Sequence, residues 1–127
     1  MKILRTLTRV CVNDIESTIQ FYENLTGVKT GLRFSMPATG LELAGVGEVL
    51  VIAGTDEALT PFRQTNATFL VDSLEEYHRF LTENGATVLS PPKQVPTGMN
   101  MTVRHPDGLV IEYVEHTRKN EVFLGTA

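Results

Sequence analysis

Glu112 is the residue whose type and position most favour chemistry, because it interrupts the apolar segment 109–114. Alternate residues of an extended strand share a face, so this carboxylate lies beside Val110 and Val114. A carboxylate among valines is costly unless it is paired or hydrogen-bonded. Two interpretations stay open. Glu112 contacts a ligand, as a hydrogen-bond acceptor or a general base, or it is a structural carboxylate paired with Arg9 or a strand amide.

Arg9 is the second candidate and lies between Leu7 and Cys11 on one face of segment 3–12. A guanidinium can anchor a carboxylate or phosphate through two parallel hydrogen bonds. The alternative is that Arg9 neutralises Glu112, and a ligand could displace part of such a pair. Cys11 has no identifiable base to activate it, so it is predicted to be a small packing residue.

Two similar helices are predicted to position these strands. Asp14 or Asn13 can cap the first helix and Gly27 can end it; Asp72 and Gly85 have the same spacing, 58 residues later. Such an offset indicates a duplicated unit. The predicted apolar stripes are Ile15, Ile19, Tyr22 and Leu25 in the first helix, and Leu74, Tyr77 or His78, and Leu81 in the second.

The remaining segments read as strands and turns around these helices. Residues 3–53 form a first β-α-β-β-β repeat, in which one strand covers 28–36, and residues 66–116 form a second. Segment 54–65 is polar and contains Pro61, so it is predicted to connect the repeats. Pro91-Pro92 is expected to end the strand over 86–89. The prediction is one α+β domain over 1–127, with a curved, cup-shaped mixed sheet, helices outside and a tail over 117–127.

Composition limits the function classes. The chain of 127 residues is 42% hydrophobic, with a formal net charge of −4 and one cysteine. Nucleic-acid binding usually requires a basic face, which is not evident here, and no apolar run reaches the roughly 20 residues of a membrane helix. The expectation is a soluble cytoplasmic protein with a small-molecule ligand and neither a nucleic-acid nor a membrane partner.

Several motifs then support a family resemblance. They are Val12-Asn13-Asp14-Ile15, Phe21-Tyr22 and Leu25-Thr26-Gly27 in the first repeat, and Val71-Asp72, Asn84-Gly85-Ala86 and His105-Pro106-Asp107-Gly108-Leu109-Val110-Ile111-Glu112 in the second. With these motifs residues 3–116 resemble the vicinal oxygen chelate superfamily, which includes glyoxalase I, bleomycin-resistance proteins, extradiol dioxygenases and methylmalonyl-CoA epimerase. The resemblance implies paired βαβββ units, a cup-shaped cavity and a homodimer.

The resemblance also implies four metal-ligand positions, and these fall near Leu7, Ile52, Asn66 and Glu112. Only Glu112 keeps a ligand type. Leu7 and Ile52 cannot bind a metal, and an amide oxygen is a poor substitute for imidazole. The expectation is therefore that the protein has no divalent metal and no other cofactor.

The cavity walls follow from the same placement. Leu7, Ile52 and Val110 are expected to supply apolar surface, while Arg9, Asn66, Thr68 and Glu112 orient the ligand. The side on which Met101 lies stays open. If Arg104 pairs with Leu109 across the turn, Met101 lies opposite Glu112 and lines the cavity. A one-residue slip turns it towards the helices as core.

Two functions fit these residues. The first is a metal-free protein that binds or sequesters a small, partly apolar organic molecule, as drug-resistance members of the superfamily do. The second is an enzyme, either an isomerase or lyase with Glu112 as base, or a metal-dependent dioxygenase or lyase with an atypical site.

Overall fold

The computed structural model describes residues 1–117 and shows an α+β protein in which a β-α-β-β-β order occurs twice. From residue 118 onward, the tail predicted over 117–127 lies outside the described residues. No helix of the described part is long and apolar enough to cross a membrane. The elements are β1 (Ile3–Val12), α1 (Ile15–Thr26), β2 (Arg33–Met36), β3 (Leu41–Val46), β4 (Val49–Ala53), α2 (Asp56–Leu59), a 3-10 helix (Thr60–Gln64), β5 (Ala67–Val71), α3 (Leu74–Glu83), β6 (Thr87–Val95), β7 (Gly98–Arg104) and β8 (Val110–His116).

The chain forms two compact units. Among the described residues, the N-terminal unit contains Thr8–Gln64, and the C-terminal unit contains Met1–Leu7 together with residues 65–117. Strand β1 therefore contributes to both. In the N-terminal unit the strand order is β2-β3-β4-β1, and in the C-terminal unit it is β1-β5-β8-β7-β6. The β1–β4 and β5–β8 pairs are parallel, and the other registered pairs are antiparallel.

Helix α1 begins and ends as the sequence predicts. The Asp14 side chain accepts a hydrogen bond from the Glu16 backbone N–H, and Gly27 adopts the left-handed conformation with φ 74°. Glycine is favoured in this conformation because glycine has no Cβ. Ile15 and Ile19 pack against β3 and β4, but Leu25 is 66% exposed and does not join that core.

Helix α3 is capped by a different residue from the predicted one. The Ser73 hydroxyl accepts the Glu76 N–H, whereas Asp72 accepts the Lys2 backbone N–H at 2.8 Å. Since the Asp72 carboxylate is turned towards the chain start, the adjacent hydroxyl caps the helix. Tyr77, rather than His78, joins the buried stripe.

The β7–β8 register decides which residues of β7 share a face with Glu112. Arg104 lies opposite Val110, so Met101 lies opposite Tyr113. Met101 is buried in the core against α3, with Leu74, Tyr77 and Leu81. The register in which Arg104 pairs with Leu109 is therefore not the observed one. Met101 does not lie on the face of the sheet that carries Glu112.

Two predicted strand boundaries were wrong. The strand predicted over 28–36 forms only at Arg33–Met36. The segment predicted as the connection lies between β4 and β5, and it contains α2 and the 3-10 helix. Thr55 caps α2 by accepting the Ala58 N–H. Strand β6 continues through Pro91-Pro92 to Val95, with register shifts between Val88 and Lys93. It is the outer strand of the C-terminal unit, where missing proline N–H groups break fewer ladder bonds.

Candidate functional site

Glu112 lies on the face of the C-terminal unit that points away from α3. Its neighbours on β8, Ile111 and Tyr113, are buried against that helix. Because side chains alternate along a strand, the Glu112 carboxylate projects from the other face, where it is half-buried. We call this side of β5, β6, β7 and β8 the polar face.

Two neutral side chains hold the Glu112 carboxylate in place. The Thr68 hydroxyl donates to Oε1 at 3.0 Å, and the Asn100 side-chain amide donates to Oε2 at 3.0 Å. These donors lie on β5 and β7, the strands on either side of β8. A hydrogen bond to a charged group contributes about 1.5–3 kcal/mol. Both oxygens are thus fixed by side chains mounted on regular strands, which is a preoriented arrangement for recognition or proton transfer.

The sequence prediction included Thr68 and Glu112 but missed Asn100. It also missed Thr102, which pairs directly with Glu112 across the β7–β8 ladder. Asn100 and Thr102 could have been found from the second of the two registers considered for β7. That register turns Met101 towards the helix, and it therefore turns Asn100 and Thr102 towards Glu112. The length of the turn after Arg104 decides between the two registers. In this turn the His105 N–H donates to the Leu109 carbonyl, and Arg104 pairs with Val110.

Asn66 contacts Val110 rather than Glu112 in the described hydrogen bonds. Its side-chain oxygen accepts the Val110 backbone N–H at 2.8 Å, and its own N–H donates to the Val110 carbonyl. These two bonds fasten the start of β5 to the start of β8. Asn66 is exposed, and its described contacts are structural.

Two titratable side chains of β8 are buried, His116 on the polar face and Tyr113 on the side of α3. Burial lowers the pKa of the His116 imidazole from 6.5 to about 4. Burial also raises the pKa of the Tyr113 phenol to about 12, and its hydroxyl shares a 2.6 Å hydrogen bond with His105 Nε2 on the side of α3. Both shifts favour the neutral forms, because burial disfavours charge.

Two of the three predicted apolar walls have almost no accessible surface in the described conformation. Leu7 and Ile52 are each 1% exposed, and Val110 is half-buried. A ligand could touch Leu7 or Ile52 only after neighbouring groups moved, so their role as walls stays a prediction.

In the N-terminal unit, Arg9 and Ile52 lie on the face opposite α1. Arg9 pairs with Leu50 across the parallel β1–β4 ladder, whereas the intervening Val51 is buried against α1. The Arg9 guanidinium donates to the Phe62 carbonyl at 3.4 Å. Arg9 is therefore linked to the 3-10 helix that follows α2.

The segment after β4 covers part of the same face. A Cβ built at Gly54 would meet the Leu41 side chain at 2.8 Å and Ala58 Cβ at 3.6 Å, so α2 lies close to β3 here. Leu59 is fully buried. An open depression of about 380 Å³ lies beside α2 and is lined by Thr39, Thr55, Glu57, Ala58, Pro61 and Phe62.

The four positions that the family resemblance gives for metal ligands do not fit a transition metal. Leu7 and Ile52 carry no donor atom, the Asn66 oxygen accepts a backbone N–H, and Glu112 accepts from Thr68 and Asn100. Such a site needs three or four nitrogen, oxygen or sulfur ligands. Within residues 1–117, no group of three or more His, Cys, Asp or Glu side chains is arranged to hold a metal ion.

A comparison with protein-family models decides the family. Residues 2–113 match the model described as the Glyoxalase/Bleomycin resistance protein/Dioxygenase superfamily. The chain belongs to this superfamily. The resemblance seen in the sequence motifs is thereby confirmed. No curated protein matches the chain.

The chain is also similar to several proteins of solved structure. An uncharacterized protein from Methanosarcina mazei is 55% identical with a TM-score of 0.88, and the match covers 93% of this chain and 96% of that one. A methylmalonyl-CoA epimerase from Mycobacterium tuberculosis is 18% identical with a TM-score of 0.72, covering 92% and 91%. A variant of the Streptomyces coelicolor methylmalonyl-CoA epimerase in complex with 2-nitronate-propionyl-CoA is 15% identical with a TM-score of 0.71, covering 93% and 98%. At such identities the epimerases show the fold alone.

Proposed function

We propose that this superfamily member binds a small organic molecule at the polar face of its C-terminal unit without a metal ion. Glu112 is the recognition group and accepts a hydrogen bond from a hydroxyl, amine or cationic group of the ligand. The supporting observation is the orientation of the carboxylate by Thr68 and Asn100, each at 3.0 Å. Leu7 and Ile52, which stand at two ligand positions of the metal-dependent members, favour the metal-free form of this proposal.

A thermal-shift screen of aromatic, thiol-conjugate and cationic compounds tests the binding function. Compounds that raise the Tm of the wild type should lose most of that effect in Glu112→Gln, which keeps the shape and removes the charge. The matched control is Glu75→Gln on the exposed surface of α3. A set of ligands whose effect is equal in both variants would remove Glu112 from the site.

Elemental analysis of the purified protein tests the metal-free part of the proposal. We expect no stoichiometric zinc, nickel, manganese or iron. One equivalent of metal per chain that disappears in Glu112→Gln would contradict it.

The second candidate is an isomerase or lyase in which Glu112 abstracts a proton next to a carbonyl group. It is favoured by the same fixed carboxylate, and the methylmalonyl-CoA epimerases share the fold. Incubation with methylmalonyl-CoA in deuterated water separates the two functions. Deuterium incorporation that requires Glu112 supports the enzyme, whereas binding to Glu112 without exchange of any tested acyl thioester supports the binding protein.

We also propose that the chain forms a homodimer in the cytoplasm. The support is the superfamily resemblance in the sequence. Sedimentation at micromolar concentration should give twice the mass of the chain, and a monomer under these conditions would contradict the proposal.

A further inference from the structure

Arg104 is the last residue of β7, and the register places it on the polar face. It pairs with Val110, which shares a face of β8 with Glu112, whereas the preceding residue Val103 is buried against α3. Thr102, the previous residue of β7 on the polar face, pairs directly with Glu112. Arg104 is therefore a diagonal neighbour of Glu112 on the adjacent strand.

The contacts of Arg104 differ from those of the other arginines in residues 1–117. Each of the others has at least one interaction partner, and they are Arg5, Arg9, Arg33, Arg63 and Arg79. Within the same residues, the Arg104 side chain is exposed and forms neither a hydrogen bond nor an ion pair. Asp107, the acidic residue nearest to it along the chain, accepts the Leu109 backbone N–H at 3.0 Å instead. The Arg104 guanidinium is thus available to an external group.

The charged side chains of β6, β7 and β8 make the polar face positive. Lys93 lies on this face, because it pairs with Asn100 across the β6–β7 ladder, and it is exposed. The second acidic residue of β8, Glu115, belongs to the other face, where it accepts a backbone N–H of α3 at 2.7 Å. Two cations, Arg104 and Lys93, therefore accompany the single carboxylate of Glu112 on this part of the face. In a chain with a formal net charge of −4, such a surface favours anionic molecules.

Of the two cations, Arg104 is the better placed to hold a group of a ligand that also contacts Glu112. It is the diagonal neighbour of Glu112, whereas Lys93 lies on the outer strand β6. A guanidinium also presents a planar fork of donors that matches a carboxylate or phosphate with two parallel hydrogen bonds. The ammonium of a lysine is a point charge and lacks this geometry.

We propose that the ligand of the polar face is an anion whose carboxylate or phosphate group is bound by Arg104. A hydroxyl or amine of the same molecule donates to Glu112. This inference rests on the proposed function, because it assumes that the ligand binds at the polar face. It adds the charge class of the ligand and makes Arg104 the residue that selects for it.

NMR titrations of ¹⁵N-labelled protein with inorganic phosphate and with acetate test the inference, at an ionic strength held constant with sodium chloride. At least one of these anions should give saturable shifts at the Thr102 and Arg104 amides, and the tighter of the two identifies phosphate or carboxylate as the preferred group. In Arg104→Gln the affinity should fall by at least about fivefold, which corresponds to about 1 kcal/mol. The matched control Arg79→Gln, on the exposed surface of α3, should retain the wild-type affinity. Glu112→Gln should bind the anion more tightly than the wild type, because it removes a nearby negative charge.

Four results would overturn the inference. They are the absence of saturable shifts with both anions in the wild type, a wild-type affinity in Arg104→Gln, an equal loss in Arg79→Gln, and no gain in Glu112→Gln. The thermal-shift screen keeps the proposed function separate. Ligands whose effect requires Glu112 but not Arg104 leave the proposed function standing and exclude an anionic ligand, whereas ligands that require Arg104 but not Glu112 contradict the proposed function itself.

Discussion

Replacing Met101 by alanine tests the β7–β8 register on which the candidate site depends. The side chain has no accessible surface and packs with Leu74, Tyr77 and Leu81 of α3. The substitution removes three heavy atoms from this core and leaves a cavity that regular strands and a helix cannot fully close. If Met101 faces the helix, as observed, Asn100 and Thr102 must face Glu112.

The expected loss of stability is large. Truncation of a buried methionine to alanine costs about 2–5 kcal/mol, and a fully enclosed position lies in the upper part of that range. For a domain of this size, about 3 kcal/mol corresponds to a decrease in Tm of about 10 °C. Urea unfolding followed by circular dichroism measures the free energy of unfolding, and an unchanged m value shows that only stability has changed.

Met99 provides a matched control, because it lies on the same face of the same strand but is 42% exposed. Met99→Ala removes the same atoms and should cost less than about 1 kcal/mol. Equal losses in the two variants, or a loss below about 1 kcal/mol in Met101→Ala, would refute the register. The assignment of Asn100 and Thr102 to the polar face would then fail as well.

Three further predictions concern other parts of the chain. The free energy of unfolding should fall as the pH is lowered from about 6.5 to about 4, because His116 takes up a proton in the unfolded state but stays neutral in the folded state, where it is buried. Urea unfolding over this pH range should show a smaller fall for His116→Gln than for the wild type. Leu59→Ala should cost about 2–5 kcal/mol in the same assay, since this side chain is fully buried, whereas the exposed Leu25→Ala should cost less than about 0.5 kcal/mol; similar losses would contradict the packing of α2. Gly98→Ala should cost more than about 3 kcal/mol of stability, because the added Cβ would overlap the Glu115 carbonyl. Gly108→Ala should cost about 1–2 kcal/mol, because its added Cβ meets open space and only the left-handed backbone is unfavourable. A calorimetric Tm that is lower for Gly108→Ala than for Gly98→Ala would contradict this.

The duplicated unit was predictable because its signals are local. An acidic cap, an apolar stripe and a glycine stop recur at Asp14 and Gly27 and again near Asp72 and Gly85, and each helix formed within those bounds. The capping residue of α3 was not predictable with the same certainty. Two adjacent residues, Asp72 and Ser73, can both accept the free N–H groups, and the choice depends on Lys2, which is far away in sequence.

The candidate site was only partly predictable because it depends on strand register. The alternation around Glu112 correctly separated this carboxylate from Ile111 and Tyr113. Pairing across the turn, however, depends on one residue of loop length, and a slip of one residue exchanges the two faces of β7. Asn100 and Thr102 were missed for this reason. In either register the residues of β7 alternate between an apolar and a polar face, so the alternation alone does not show which face carries Glu112.

The segment after β4 contains a short helix that was not predicted. Its polar composition and Pro61 indicated a connection, and Thr55 followed by Asp56 and Glu57 is also a helix-start pattern. The buried Leu59 gives this short helix a packing partner, which composition alone does not reveal.

The division of β1 between the two units has a consequence for synthesis on the ribosome. Residues 8–64 are contiguous, so α1 and β2–β4 can assemble with the second half of β1 as soon as they emerge. Residues 3–7 of β1 gain their partner strand only when β5 has been synthesised, some sixty residues later. Until then the nascent chain carries an unpaired strand edge, the type of surface that recruits other chains. We expect this interval, rather than the stability of the finished protein, to set how strongly its production depends on chaperones.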